Sequence, residues 1–195
     1  MKNFVKLLVT LFINMFYRVE LVNKHNIPEK GAALLCANHI HDLDMFFIGY
    51  NINRLVHYMA KEELFKIPIL APLIRWLGAF PIKRGKGDVG AIKSALKLLE
   101  EGHIVGIFPE GTRTGGKDKK NITIKRGAVM IAINSGVPII PVGINATYKP
   151  FSKVRVVFGE PFYLNVDRDR KYSSEEMNHI SMDLMEKIYS LAGEK

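Results

Sequence analysis

Ala32-Ala33-Leu34-Leu35-Cys36-Ala37-Asn38-His39-Ile40-His41-Asp42-Leu43-Asp44 divides into two halves of opposite character. The first half is apolar without a break, the pattern of a strand covered on both faces rather than one. The second half crowds two histidines and two aspartates into the residues that follow. Working outward, further β-rich runs fall at 17–22, 55–59, 79–82, 104–108, 139–144 and 154–158, and several are again apolar throughout. Helical patterns lie between and after them. Asp88 is placed to cap a segment with Val89, Ile92, Leu96 and Leu99 on one face, closed by Gly102. Gly127–Ser135 is short and apolar and is followed by Gly136 and Pro138. Ser173 and Glu176 form a capping-box pattern ahead of Met177, Ile180, Leu184, Ile188 and Leu191. Such alternation predicts an α/β fold, a largely parallel mixed sheet of about seven strands flanked by helices. No internal repeat or low-complexity linker interrupts it.

Composition narrows the partners. With 195 residues, one domain is the natural count. At 24% charged and 48% hydrophobic the chain is ordinary globular protein rather than a disordered tail. A single cysteine excludes an intramolecular disulfide framework and a zinc-finger scaffold. The net charge of +9 calls for anionic company, namely nucleic acid, an anionic membrane or a phosphorylated substrate. Six of those nine charges lie between Lys83 and Arg126, which holds 11 basic and 5 acidic residues, including Lys117, Lys119 and Lys120.

Two apolar clusters stand apart from the α/β pattern. Phe4 to Tyr17 is apolar except for Lys6, Thr10 and Asn14. It is too short to cross a hydrocarbon core, which takes roughly 20 residues, and no small-residue cleavage pattern follows it. It reads as a retained amphipathic helix that either packs on the domain or lies in a membrane interface with Lys2 and Lys6 at the headgroups. Residues 64–77 hold nine large apolar side chains with Pro68 and Pro72 among them. A helix there would be apolar nearly all round and kinked, either a buried core helix or a wall that touches lipid or an acyl chain.

The polar half of the opening stretch carries the densest chemistry. His39 sits just past a strand, at the sheet edge where open α/β folds bind ligands. Asp44, five residues on, falls in the first turn of the next helix and can reach back to His39 Nδ1. That pairing fixes the tautomer and leaves Nε2 as a general base. A metal-dependent hydrolase is the competing reading, using His39, His41, Asp42 and Asp44, although Leu43-Asp44 replaces the Asp-His of the H-x-H-x-D-H pattern. The remaining histidines, His25, His57, His103 and His179, are scattered. A polar loop that caps the helix through Asp42 is a third reading. Phe108-Pro109-Glu110-Gly111-Thr112-Arg113 ends another strand, so it lies on the same edge, and Arg113 can fork onto a phosphate. Gly111 to Lys117 almost fits a phosphate-binding P-loop but fails at Asp118, where Ser or Thr is needed. Lys83 and Arg84 end a third strand, and Val137-Pro138-Ile139-Ile140-Pro141-Val142 brackets a fourth with prolines.

These four segments, in this order over about residues 20–160, resemble the glycerolipid acyltransferases, in particular the lysophosphatidic acid acyltransferases. Asn38, His39 and Asp44 match the block N-H-x4-D. Gly78, Ala79, Phe80 and Arg84 lie in the second block, with Phe80 one place early. Phe108 to Arg113 completes F-P-E-G-T-R, and Val137 to Val142 completes the fourth block. His41 stands where the family usually has Ser, and Lys83 where Asp is common.

The resemblance implies transfer of an acyl group from acyl-CoA or acyl carrier protein to a lysophospholipid acceptor, the sn-2 hydroxyl of 1-acylglycerol 3-phosphate. It implies no cofactor, no metal and no nucleic acid partner. His39 and Asp44 would be catalytic, Arg84 and Arg113 would hold phosphate, and Glu110, Gly111 and Thr112 would position substrate, with Glu110 alternatively orienting Arg113. Lys61 and Lys125 are weaker phosphate candidates. Backbone N–H groups near the His39–Asp44 turn would stabilise the oxyanion. Residues 1–18 would be the membrane-associating helix and 19–195 the acyltransferase domain. The protein would sit peripherally or monotopically on the cytoplasmic face of the cell membrane. The remaining alternative is a non-catalytic anionic-lipid-binding domain.

Overall fold

The computed structural model describes residues 2–83, 88–115 and 122–193, with side chains from Leu7 onward. Seven strands form one sheet: β1 (Arg18–Val22), β2 (Ala33–Ala37), β3 (Val56–Lys61), β4 (Phe80–Ile82), β5 (Ile104–Ile107), β6 (Ile139–Ala146) and β7 (Lys153–Phe158). Their order is β1-β7-β6-β2-β5-β3-β4, and every neighbouring pair is parallel except β6 with β7. Each of the seven β-rich runs in the sequence is a strand, and the sheet is parallel for the reason its pattern implies: β2 is buried along its whole length.

Alternation along β2 divides the core. Ala33, Leu35 and Ala37 face helices α1 (Lys2–Phe16) and α2 (Asp44–Gly49), where they meet Ile13, Phe47 and Ile48. Leu34 and Cys36 face α4 (Val89–Glu100), α5 (Gly127–Ser135) and α6 (Ser174–Leu191), where they meet Leu99, Val129, Ile131, Met185 and Ile188. The helix signals hold. Asp88 accepts from Ala91 N–H at 3.0 Å, and Ser173 and Glu176 bond reciprocally as a capping box.

Residues 64–77 do not form a core helix. Pro68 follows a short 3-10 turn (Glu62–Lys66), and α3 (Leu70–Trp76) starts afresh behind it. Neither piece buries a residue, and Ile69 is 87% exposed. Proline lacks the N–H that would carry a helix through, and the two pieces lie on the surface near β3 and β4. Helix α1 ends at Phe16, so Arg18 opens β1 rather than closing the helix. Ile13 is buried against the domain, whereas Leu7, Leu8, Leu11, Phe12 and Met15 are exposed. No helix among the described residues is long and apolar enough to cross a membrane.

The C-terminus of α6 comes so close to β6 that only glycine fits at Gly143. A Cβ there would lie 2.3 Å from the Ala192 backbone nitrogen and 2.4 Å from the Leu191 carbonyl carbon. Backbone cannot step aside as a side-chain tip can. Gly143→Ala is therefore expected to lower stability by ~1–3 kcal/mol, read as an earlier urea midpoint with an unchanged m-value.

Candidate active site at the carboxyl edge of the sheet

Strands β2, β3, β4, β5 and β6 run the same way, so their following loops emerge on one edge. His39 leaves β2 there and is buried, with 6% of its surface exposed. Its Nδ1 lies 2.9 Å from Asp44 Oδ2. The local chain explains how residues five apart meet. Asp44 Oδ2 also accepts from Ile40 N–H at 2.7 Å and His41 N–H at 2.9 Å, while Asp44 N–H donates to His41 carbonyl at 3.1 Å. The carboxylate thus winds the turn around itself. Its other oxygen accepts from Tyr148 Oη at 2.5 Å. Asp44 is fully buried, and these four donors satisfy an acceptor-only group. With a carboxylate on Nδ1, that nitrogen carries the proton and Nε2 presents its lone pair.

His39 is held from its other sides too. Its N–H donates to Glu110 Oε2 at 2.6 Å, and its carbonyl accepts from Thr114 N–H at 2.8 Å and Thr114 Oγ1 at 3.0 Å. Its ring stacks on Phe108, centroids 4.0 Å apart and planes within 15°. Phe108 in turn stacks on Tyr58 at 5.8 Å. Burial, with the nearby Asp44 charge, pushes the Tyr58 phenol above its usual range. The chain before His39 is fixed by Asn38, whose amide donates to Ile144 carbonyl and accepts from Ile144 N–H at 2.9 and 2.8 Å. The F-P-E-G-T-R loop and the N-H-x4-D loop are therefore bonded into one body.

A family model described as Acyltransferase matches residues 18–145, the span that contains every one of these groups except Tyr148. The chain belongs to the acyltransferase family. It is 35% identical over 151 residues to the 1-acyl-sn-glycerol-3-phosphate acyltransferase of Bacillus subtilis, covering 74% of each chain. It is 28% identical over 194 residues to the chloroplastic 1-acyl-sn-glycerol-3-phosphate acyltransferase BAT2 of Brassica napus, and spans 56% of that longer relative. Its fold is similar to the crystal structure of the 1-acyl-sn-glycerophosphate acyltransferase PlsC from Thermotoga maritima, with a TM-score of 0.69 and 26% identity over 100% of this chain and 82% of the other.

For this acyltransferase the structure sorts the remaining site residues and corrects two expectations. Arg113 is bonded to Asp42, and Asp42 makes no side-chain cap on α2. Glu110 faces inward, 2% exposed, with Oε1 accepting from Tyr189 Oη at 2.8 Å. The Ile40 and His41 N–H groups are committed to Asp44, which removes them as oxyanion donors. Gly111 takes φ of 68°, and a Cβ there would sit 2.9 Å from Lys125 Cγ, so the loop closes on the Lys125 stem. Thr112 and Lys125 are both exposed. Lys61 ends β3 opposite Ile82 of β4, farther along the same edge. Arg84, Lys117, Lys119 and Lys120 lie outside the described residues.

The metal-dependent hydrolase is disfavoured by what its ligands already hold. His39 Nδ1 and both Asp44 oxygens are bonded within the protein, Asp42 pairs with Arg113, and His41 Nδ1 accepts from Leu43 N–H at 3.2 Å. Among the described residues, no group of three or more His, Cys, Asp and Glu converges as a metal site.

Tyr148, Thr114 and Tyr189 escape the sequence motifs. Tyr148 follows β6 onto the edge, and that position is its only sequence signal. Thr114 directly follows the F-P-E-G-T-R block, whereas nothing local marks Tyr189, which reaches Glu110 from the last turn of α6.

Asp44 supplies the test of this arrangement. In Asp44→Asn one acceptor oxygen becomes an NH2 facing other donors. Turnover is expected to fall on the order of 10³-fold or more, since His39 loses its tautomer partner. Chemical denaturation should show a loss of ~1–3 kcal/mol from the unpaired buried donors.

Proposed function

We propose that the chain transfers a fatty acyl group from an acyl thioester, acyl-CoA or acyl carrier protein, to the sn-2 hydroxyl of 1-acylglycerol 3-phosphate, giving phosphatidic acid. The observation that carries this reading is the buried His39–Asp44 pair, 2.9 Å apart, set beside the Arg113 loop on one sheet edge. His39 Nε2 takes the acceptor hydroxyl proton as the oxygen attacks the thioester carbonyl. The C–S bond of the tetrahedral intermediate then breaks, and Nε2–H returns the proton to the leaving thiolate. Asp44 holds the ring in the required tautomer and stabilises the imidazolium between these steps.

An acyl-enzyme is not needed. Cys36 is the one thiol, fully buried in β2, and burial pushes its pKa far above the range of a reactive cysteine. Neither is a metal or other cofactor required by this chemistry.

Arg113 is half-exposed and its Asp42 partner more so, so this pair opens at little cost when a phosphate monoester competes for the guanidinium. Arg84, two residues beyond β4 in sequence, is its proposed second phosphate ligand. Thr112 and Gly111 line the approach, and Lys61 and Lys125 add positive field. Glu110 acts through the protein, by locking His39's backbone, rather than by touching substrate.

Helix α1 seats the domain formed by the rest of the chain on an anionic membrane, at the cytoplasmic face where acyl thioesters are found. Its inner face holds Ile13 against the core, and its outer face offers Leu8, Leu11, Phe12 and Met15 to lipid. The exposed Ile67, Ile69 and Leu73 near β4 offer a wall for an acyl chain.

Two variants test the chemistry against a panel of acyl-CoA and acyl carrier protein donors and lysolipid or glycerol 3-phosphate acceptors. His39→Ala should abolish transfer while the circular dichroism spectrum stays native, and substantial residual turnover would remove it as the base. Arg113→Ala should raise KM for a phosphorylated acceptor about tenfold or more with a smaller change in kcat. An unchanged KM would take Arg113 out of the phosphate site.

A further inference from the structure

The loop between β6 and β7, residues 147–152, is built unlike a simple connection. Tyr148 and Phe151 both have left-handed backbone, φ 57° and 64°. A bulky aromatic residue in that region is an outlier that its surroundings must enforce. Here the enforcement is visible. Phe151 N–H donates to the Phe16 carbonyl at 2.6 Å, Ser152 N–H to the Lys149 carbonyl at 3.1 Å, and Arg18 N–H to the Ser152 carbonyl at 3.0 Å. The loop is thus bonded to the C-terminal end of α1. What the strained backbone achieves is exposure: Phe151 is 67% exposed although the core lies within reach of its neighbours.

The exposed ring is not isolated. Phe12 and Phe16 lie 5.0 Å apart on one face of α1, and Phe16 lies 6.3 Å from Phe151. The apolar stripe of Leu8, Leu11, Phe12 and Met15 therefore runs on through Phe16 to Phe151. Its rim is basic. Lys149 is exposed at the same loop tip, and Arg18 and Lys153 line the hollow beside Phe151, where Glu20 pairs with Lys153 at 2.7 Å.

We propose that the 147–152 loop is a second membrane-contact element, with Phe151 inserting beside α1 into an anionic lipid surface. This rests on the reading that α1 lies in a membrane interface and extends it to a part of the chain far away in sequence. A ring held outward by strain, continuous with an apolar stripe and edged by basic groups, matches the acyl–headgroup boundary. A second copy of the chain is the poorer occupant, because contact across this face would bring two Lys149 rims together between chains that each carry +9. The placement also has a use. Tyr148, three residues before Phe151, donates to Asp44 and stacks on His41 at 4.7 Å, so the inserted tip sets the His39–Asp44 pair close above the bilayer that holds the acceptor.

The test uses the whole chain and vesicles of mixed phosphatidylglycerol and phosphatidylcholine. Phe151→Asp should lower the vesicle partition constant about tenfold or more, with an unchanged melting temperature. Its turnover of a water-soluble short-chain acceptor should match the parent, while turnover of acceptor embedded in vesicles falls with binding. Phe151→Trp in a Trp76→Phe background should show blue-shifted emission that brominated lipids quench. Unchanged partition and unquenched emission, with Phe12→Asp still releasing the protein, would overturn the loop proposal and leave the α1 reading standing. If neither Phe12→Asp nor Phe151→Asp alters partition, both fail. A dimer in light scattering that Phe151→Asp dissociates, with partition unchanged, would assign the face to a second copy and overturn the lipid assignment.

Discussion

Asp44 is the group on which the site depends. A carboxylate with no exposed surface is costly unless each oxygen is met by donors. Here the donors are drawn from three places: the ring of His39, the backbone of the turn between β2 and α2, and Tyr148 beyond β6. Hydrogen bonds to a charged acceptor contribute ~1.5–3 kcal/mol each, so the turn, the ring orientation and the β6 loop are coupled through one atom pair. The same carboxylate that orients His39 also shapes the chain around it. Its structural role and its proposed catalytic one are inseparable.

This coupling explains why the second motif is needed to hold the first. A histidine at the end of a strand has backbone groups that no sheet partner satisfies. Glu110 accepts from its N–H and Thr114 donates twice to its carbonyl, while Phe108 provides the surface against which the imidazole lies flat. The parallel pairing of β2 with β5, in which Cys36 lies opposite Ile107, brings the two loops to the same height. Moving either strand by a residue would turn side chains to the opposite face and separate the two motifs.

The architecture was legible because burial on both faces leaves an unmistakable mark. The uninterrupted apolar run 32–37 reads as a central strand, and the remaining runs alternate with capped helices. The near contact of His39 with Asp44 follows from a strand end and a helix start five residues apart. What sequence could not show are contacts from distant segments, whose cause is topology rather than local pattern. Tyr189 reaches Glu110 across 79 positions and Tyr148 reaches Asp44 across 104. The 64–77 segment misleads for a related reason. Its composition suits a core, yet Pro68 divides it and neither piece buries a residue, so its apolar groups remain at the surface.

Order falls off across the site in a way that suits two substrates of different size. The base is clamped on backbone and ring alike, whereas Arg113 and Asp42 form a pair exposed enough for solvent to screen it. A rigid proton acceptor keeps Nε2 in place for a short-lived approach of hydroxyl to carbonyl, where small displacements are costly. On the proposed reading, a movable phosphate clamp must instead open to admit a headgroup and reopen to release one of nearly the same shape. Were Arg113 as tightly held as His39, its charge would be bound to Asp42 at the moment a phosphate arrives. On that reading the half-exposed ion pair lets one edge serve both the proposed proton transfer and lipid exchange.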